Sequence, residues 1–203
     1  MKGNPIPKKI LVELYVHEQQ SAHDIARRLK CSENKVHYWL GKHAIKKRTL
    51  SDALYVKQNP HGDPFIFKKP QSSEDWFLFG LGIGLYWGEG NKKNKTAVRL
   101  GNSDPALIKA FLRFLNEIYQ VRKEKIRFGL QIFSDMSPVA ARSFWCRYLH
   151  VSSRKFGKVI VTPSRGRGSY KEKTSHGVLT IYFSNVKLQR MLNKEIENLR
   201  TIR

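Results

Sequence analysis

Along the first fifty residues, apolar side chains recur at the three- and four-residue spacing of amphipathic helices. The spacing predicts a first helix over 7–17, a second over 22–30 and a third that begins after Ser32. Ser21 and Ser32 stand directly before the second and third helices, where a hydroxyl can cap the first backbone N–H groups. We expect Gly41 to end the third helix. Three short helices with a tight turn between the last two are typical of a helix-turn-helix module.

Beyond residue 73, helical spacing alternates with the two-residue period of half-buried strands. The predicted elements, in chain order, are an apolar helix over 76–90, a strand over 95–100, a helix over 105–119, a strand over 125–132, a helix over 137–149, two strands over 159–161 and 178–183 that pair with each other, and a closing helix over 185–199. Residues 51–73 hold three prolines and the apolar run 65–67, which predict a semi-rigid linker with one apolar patch. The fold class is therefore expected to be α+β, with a small all-α helix-turn-helix domain over 1–50, a linker over 51–73 and a second domain over 74–203.

The charge of the chain adds a functional expectation. Lys and Arg number 38 against 16 Asp and Glu, which gives a formal net charge of +22. Residues 1–50 carry +7, residues 51–73 carry +1 and residues 74–203 carry +14. Because a chain this basic repels itself without a polyanionic partner, we expect both domains to face nucleic acid. A ribosome-associated protein with a solvated basic surface is the alternative that charge alone leaves open.

The sequence also excludes some classes of protein. No apolar run approaches the roughly 18 residues of a membrane span, and residues 1–5 lack the apolar core of a signal peptide. We therefore expect a cytoplasmic protein without a membrane partner, associated with the nucleoid if the source is prokaryotic. Cys31 and Cys146 have no CxxC spacing and the histidines no metal-ligand spacing. The chain contains no GxSxG, HExxH or GxxxxGK[ST] pattern.

The third helix carries polar side chains that can reach base edges or phosphates. The candidate DNA contacts on this helix and just beyond it are Asn34, Lys35, His37, Tyr38, Lys46, Lys47 and Arg48. The stretches 24–29 and 36–40 resemble the helix-turn-helix modules of recombinases and DNA-binding regulators. A three-helix packing module that makes no DNA contact is the alternative.

Residues 76–90 are apolar almost throughout and carry a glycine every four residues, at Gly80, Gly84 and Gly88. As a helix, this segment presents a bare stripe along which another helix backbone can approach closely. Glycines inside a helix cost roughly 1 kcal/mol each relative to alanine, so close packing has to compensate. Glu89 comes at the C-terminal end, where the helix dipole disfavours a carboxylate, so we expect a cation to hold it. A buried structural helix that ends in a solvated Glu-Gly turn is the alternative.

The run Gly84-Leu85-Tyr86-Trp87-Gly88-Glu89-Gly90 resembles the signature of the LAGLIDADG homing endonuclease family. The resemblance extends over about residues 74–199 and implies a curved antiparallel sheet, backed by helices and laid over the major groove of DNA. It further implies that Glu89, together with Gly90, binds a divalent cation such as Mg²⁺, for which a carboxylate oxygen is a suitable ligand. Trp87 and Gly82 depart from the residues usual at their positions in the family.

The chain has one such helix, whereas the family's active site needs two. The resemblance therefore implies a homodimer that packs through Gly80, Gly84 and Gly88 and pairs the two copies of Glu89 on a palindromic or near-palindromic duplex site. In this interpretation the paired carboxylates hold metal, which activates water for hydrolysis of the phosphodiester bond. Gln131 and Lys158, on or near predicted strands, are the candidates for water positioning and charge stabilisation.

Further DNA contacts are expected from the second domain. The candidates on or near its strands are Lys95, Arg99, Arg127, Gln131 and Lys158, and those between the last two strands are Arg165, Arg167, Lys171 and Lys173. We interpret the second group as the tip of a long basic hairpin that follows a phosphate backbone. A merely solvated loop is the alternative.

The sequence leaves three functions open. Glu89 favours a metal-dependent DNA endonuclease. The same two domains also suit a catalytically inactive transcriptional regulator, because some relatives of the fold combine it with a helix-turn-helix for regulation. An RNA maturase-like splicing helper belongs to the same family, so RNA stays open as a partner.

Overall fold

The computed structural model describes residues 4–163 and 175–201. The chain forms two compact units, residues 1–63 and 64–203. Three short helices form the core of the first unit. Helix α1, Lys8–Leu11, continues as a π-helical segment over Val12–His17 and is followed by α2, Ala22–Arg28, and α3, Glu33–Lys42. The Ser21 and Ser32 hydroxyls accept hydrogen bonds from the backbone N–H groups of Asp24 and Lys35, which confirms both predicted caps. The buried side chains of this unit are Ile6, Leu11, Leu14, Tyr15, Ala22, Ile25, Ala26, Val36 and Leu40.

The predicted end of α3 at Gly41 is wrong. The helix continues through Lys42, and the left-handed backbone position that closes it falls on Ala44, with φ 54°. The N–H of Ile45 then donates to the carbonyl of Leu40 at 2.9 Å, which satisfies one of the last helical acceptors. Gly41 is therefore an ordinary interior residue of the helix.

The expected linker, residues 51–73, needs correction at both ends. Helix α4, Leu50–Gln58, begins at a capping box in which Thr49 and Asp52 cap each other's backbone N–H groups, and this local signal overrides the turn-rich composition that follows. At the other end, residues 64–70 belong to the second unit. Phe65 is buried there, and the N–H of Ile66 donates to the carbonyl of Tyr119 at 3.0 Å.

The second unit is α+β, as predicted. Its helices and strands, in chain order, are α5 (Ser73–Glu89), β1 (Val98–Asn102), α6 (Pro105–Glu117), β2 (Ile126–Phe133), α7 (Pro138–Leu149), β3 (Ile160–Thr162), β4 (Val178–Phe183) and α8 (Val186–Arg200), with 3-10 turns at Lys123–Lys125 and Ser153–Lys155. Local caps begin the helices: Asp104 accepts from Ala106 N–H and Ser137 from Ala140 N–H.

The four strands form one sheet in the order β1-β4-β2-β3. Strand β4 is antiparallel to β1 and to β2, whereas β3 is parallel to β2. The sheet is therefore mixed, and the prediction of an antiparallel sheet is wrong for β3. The predicted pairing of 159–161 with 178–183 is also wrong, because β3 and β4 lie on opposite sides of β2. Strands β3 and β4 are therefore not the two arms of one hairpin.

Contacts just before β3 explain its direction. The Phe156 ring stacks on Phe128 of β2 with 5.2 Å between ring centroids, and the Gly157 N–H donates to the Phe128 carbonyl at 3.0 Å. The chain thus already runs alongside β2, in the same direction, before β3 begins. These contacts join residues about thirty positions apart, which strand propensity does not encode.

The two faces of the sheet differ. On the inner face, alternate residues such as Leu100, Ile181 and Phe128 are buried in a core shared with α5, α6 and α8. We call the opposite side the outer face; its residues, including Arg99, Tyr182 and Arg127, are half-buried or exposed. No helix in the described ranges combines the length and the hydropathy that crossing a bilayer requires.

Candidate metal and nucleic-acid sites

Helix α5 positions the acidic residue of the motif, and its buried side is held by a glycine. A Cβ on Gly82 would lie 2.1 Å from Phe114 Cγ of α6, so only glycine permits this contact between the helices. One turn on, the Tyr86 ring stacks on Phe111, with 6.0 Å between ring centroids and 7° between the planes. Burial raises the pKa of Tyr86 to about 12, and its hydroxyl finds no hydrogen-bond partner among the described residues. These contacts fix the rotation of α5 about its axis.

The opposite side of α5 is apolar and exposed. A Cβ built on Gly80, Gly84 or Gly88 would meet no atom within 4 Å among the residues described, the neighbouring turns of the helix itself aside. Four large apolar side chains accompany these glycines, with exposed fractions between 37% and 71%: Trp76, Phe77, Leu81 and Trp87. The three glycines predicted for an interface therefore share an uncovered apolar face, whereas Gly82 makes the close contact within the unit.

Glu89 is the last residue of α5, and its side chain is exposed. Gly90 then turns the chain toward β1: its N–H donates to the Tyr86 carbonyl at 2.9 Å, and it forms a β-bridge with Leu100. A Cβ on residue 90 would lie 2.3 Å from the Tyr86 carbonyl oxygen, so the turn requires glycine. Glu89 thus lies at the end of the helix, as predicted.

The cation expected to hold Glu89 is not found within the described part of the chain. No hydrogen bond or ion pair joins the Glu89 carboxylate to a residue in 4–163 or 175–201. The nearby Lys92 instead donates its Nζ to the Trp87 carbonyl and so caps the helix end. An exposed carboxylate without a protein partner has the donor chemistry that Mg²⁺ needs.

The described residues of one chain supply too few ligands for a complete metal centre. In the ranges that the structure describes, no group of three or more His, Cys, Asp or Glu side chains is placed to hold a metal ion. Glu89 contributes one carboxylate, and the Gly90 carbonyl already accepts from the Lys92 N–H at 3.1 Å. These residues fit a divalent cation only if a second carboxylate reaches the same place.

The structure does not bring Gln131 and Lys158 to Glu89 within one chain. Gly90 pairs with β1 on the side that faces away from β4. Gln131 lies on β2, so three strand spacings separate it from Gly90. At about 4.8 Å per strand, this separates the two backbones by about 14 Å. Lys158 lies further still, on the segment before β3, and Gln131 Nε2 donates to Thr162 Oγ1 at 3.1 Å.

The predicted contacts on α3 lie on its accessible side. Asn34 and Tyr38 are exposed, and Lys35 is half-buried. The Tyr38 ring packs edge-on against Trp39 with 5.4 Å between centroids, and Lys42 Nζ lies 5.8 Å from the centre of the Tyr38 ring. The nearest carboxylate oxygen to His37 Nε2 belongs to Glu33, at 3.6 Å. Beyond the helix, Lys46 and Lys47 are exposed.

The Arg48 guanidinium is engaged inside the first unit. Its Nη atoms donate to the carbonyls of Tyr15, Gln19 and Gln20, with N···O distances of 3.2 Å and 2.8 Å for the first two. The guanidinium carbon also lies 4.1 Å from the centre of the Tyr15 ring. This arrangement satisfies carbonyls at the end of the first helix, so the geometry gives Arg48 a structural role.

On the second unit, Arg99, Arg127 and Gln131 lie on the outer face of the sheet, and Lys95 is exposed just before β1. The sequence interpretation missed Tyr182, which lies on this face between the two arginines in the strand register. The alternation of Val178–Phe183 could have identified it, because Thr180 and Tyr182 occupy the less buried positions. Arg165, Arg167, Lys171 and Lys173 lie outside the described residues.

No family model, curated protein or solved structure matched the chain in the comparisons made. The resemblance to a homing endonuclease motif therefore rests on the sequence of residues 84–90.

Proposed function

We propose that this protein is a homodimeric, metal-dependent DNA endonuclease that cuts both strands of a palindromic or near-palindromic duplex site. The observation that carries the proposal is the combination of an exposed apolar glycine face on α5 with a carboxylate, Glu89, that ends this face and has no partner among the described residues. Two such faces packed about a two-fold axis would bring two carboxylates together, which one chain cannot do.

Each residue of the proposed site has a limited role. Glu89 of each copy and the Gly90 carbonyl would hold Mg²⁺ or another divalent cation, which supplies the Lewis acid and the activated water that phosphodiester hydrolysis requires. Gly80, Gly84 and Gly88 would let the two helices approach closely. The polar side of α3 and the outer face of the sheet would contact DNA. Gln131 and Lys158 stay candidates for catalysis only within a dimer.

A second function is favoured by a different observation. Because Gln131 and Lys158 lie far from Glu89 in one chain, the catalytic set is sparse, and a DNA-binding regulator without cleavage needs none of it. The two proposals share the dimer and the DNA contacts and differ only at Glu89.

A selection from a random duplex library separates them. The wild-type chain, Glu89→Gln and the control Glu13→Gln, an exposed acid on the first unit, are each incubated with and without Mg²⁺, and bound and cut molecules are sequenced. The endonuclease proposal expects cutting only with metal, and binding without cutting by Glu89→Gln. Enrichment without cut ends supports the regulator, and no enrichment contradicts both.

The dimer has its own test. Sedimentation equilibrium of the full chain compares Gly84→Leu with Gly41→Leu, since both glycines lie in helices with no described atom near their Cβ positions. Gly84→Leu is expected to be monomeric and Gly41→Leu to remain dimeric. A wild-type monomer at working concentrations would contradict the proposal.

A further inference from the structure

We propose that four residues in line across the outer face of the sheet form a track for the phosphates of a DNA backbone. They are Arg99, Tyr182, Arg127 and Lys155, which we call the cationic row. The proposal deepens the proposed DNA binding, on which it rests, and adds Tyr182 and Lys155 to the contacts.

The strand register places three members of the row side by side. Arg99 of β1 lies opposite Tyr182 of β4, and Tyr182 lies opposite Arg127 of β2. All three occupy the positions that alternate with the buried residues of their strands, so they share the outer face.

Lys155 extends the row by one position. The parallel bridge between Phe128 and Phe156 sets the preceding residues, Arg127 and Lys155, beside each other. Arg127 faces outward because it alternates with the buried residues of β2, and the electrostatic effect of its guanidinium on Lys155 indicates that the two cations lie close together. Lys155 Nζ donates to the Lys123 carbonyl, which orients this lysine at the end of the sheet. From Arg99 to Lys155 the row crosses three strand spacings, about 14 Å.

Tyr182 holds the row in place. A Cβ on Gly129 would lie 2.7 Å from Tyr182 Cε2, so the missing side chain leaves room for the tyrosine ring to lie over β2. The Arg99 guanidinium carbon lies 5.2 Å from the centre of the ring, within the range of a cation–π contact. Arg99 Nε is buried and has no hydrogen-bond partner among the residues described. Tyr182 is thus a positioning residue for Arg99.

The described residues place backbone carbonyls, but no carboxylate, against the row: Arg127 Nη1 donates to the carbonyls of Glu124 and Ile126. In 4–163 and 175–201, no carboxylate lies within ion-pair distance of Arg99, Arg127 or Lys155. Burial and the neighbouring Arg127 guanidinium both lower the pKa of Lys155, against a smaller opposing effect of Glu124. An anion placed over the row would relieve this repulsion, and a polyanionic strand supplies one phosphate after another.

The test measures duplex binding by fluorescence anisotropy, using the full chain in EDTA over a series of KCl concentrations. Two duplexes are used, one from the library selection and one of unrelated sequence. The variants are Arg99→Gln, Arg127→Gln and Lys155→Gln, with Lys194→Gln, an exposed lysine on α8, as the control of equal charge. Each row variant is expected to reduce the slope of log K against log salt by about 0.9 and to weaken both duplexes equally, with the control unchanged.

Tyr182 is tested by a double-mutant cycle. Tyr182→Phe keeps the ring and should bind as wild type, whereas Tyr182→Ala should match Arg99→Gln and add little to it. If wild type binds duplex but the row variants behave as Lys194→Gln, the row is wrong and the proposed function stands. Weakening confined to the selected duplex would mean that the row reads bases, and would overturn the phosphate track. If wild type binds no duplex, both proposals fail.

Discussion

The Phe114 ring lies directly against the backbone of Gly82, where a Cβ would come within 2.1 Å of Cγ. We expect Gly82→Ala to lower the free energy of unfolding by about 3 kcal/mol, because the fully buried ring has no room to retreat. Urea unfolding of the full chain, with hydrogen exchange of α5 amides, measures the effect.

Gly84→Ala is the matched control for Gly82→Ala, since the two residues lie on opposite sides of one helix. With open space beyond its Cβ position, it should stabilise α5 by about 0.5–1 kcal/mol at concentrations where the chain is monomeric. Equal destabilisation by both substitutions would mean that helix α5 is rotated from the orientation described.

Tyr86→Phe is expected to raise the free energy of unfolding by about 1 kcal/mol at neutral pH, because the buried hydroxyl has no hydrogen-bond partner among the described residues. The pKa of Tyr86 is raised from 10 to about 12 by burial, so the unfolded chain loses this proton first. Wild-type stability should therefore fall as the pH rises from about 10 to 12, and Tyr86→Phe should lack that part of the fall. Unfolding in urea at pH 8 and pH 11 tests both points; parallel losses in the two proteins would contradict the assignment.

Gly41→Ala and Ala44→Gly should each stabilise the first unit by about 0.5–1 kcal/mol. Gly41 has ordinary helical surroundings, in which alanine is preferred, and Ala44 holds a left-handed φ of 54° that glycine adopts without strain. Hydrogen exchange of α3 amides in the full chain measures each change. A destabilising Ala44→Gly would show that helix α3 closes differently.

Arg48→Gln is expected to lower the stability of the first unit by about 2 kcal/mol, because three carbonyls lose a charged donor. The adjacent Lys47→Gln removes the same charge from an exposed position and should change stability by less than about 0.5 kcal/mol. Thermal unfolding of both variants measures the two changes in stability. If Arg48→Gln weakens DNA binding without loss of stability, Arg48 is a DNA contact after all.

Features encoded by nearby residues were predictable from the sequence. The caps at Ser21, Ser32 and Ser137 bond to groups three residues away, so each helix start follows from a few letters. The burial alternation along Ile126–Phe133 likewise follows from its own composition. The place of Glu89 at a helix end belongs to the same category.

Features that depend on distant partners were not predictable. The direction of β3 follows from Phe156 meeting Phe128, and no local property of Ile160–Thr162 encodes it. The distance between Glu89 and Gln131 follows from strand order, which the alternation of each strand leaves open. Arg48 lies among basic residues in the sequence, and only the fold shows its guanidinium among carbonyls.

The strand order also sets how much chain is needed between β3 and β4. Thr162 and Val178 flank the same end of β2, two strand spacings or about 10 Å apart. At about 3.3 Å per extended residue, about three residues would span that gap, whereas residues 163–177 number fifteen. The connection between β3 and β4 is therefore longer than the sheet requires. The entropic cost of closing a loop rises only slowly with its length, so the additional residues cost little. The end of this stretch is fixed, because the His176 carbonyl accepts from Trp145 Nε1 and Gly177 lies against the Gln131 carbonyl, so a change of length that preserves the strand order has to come before these two residues.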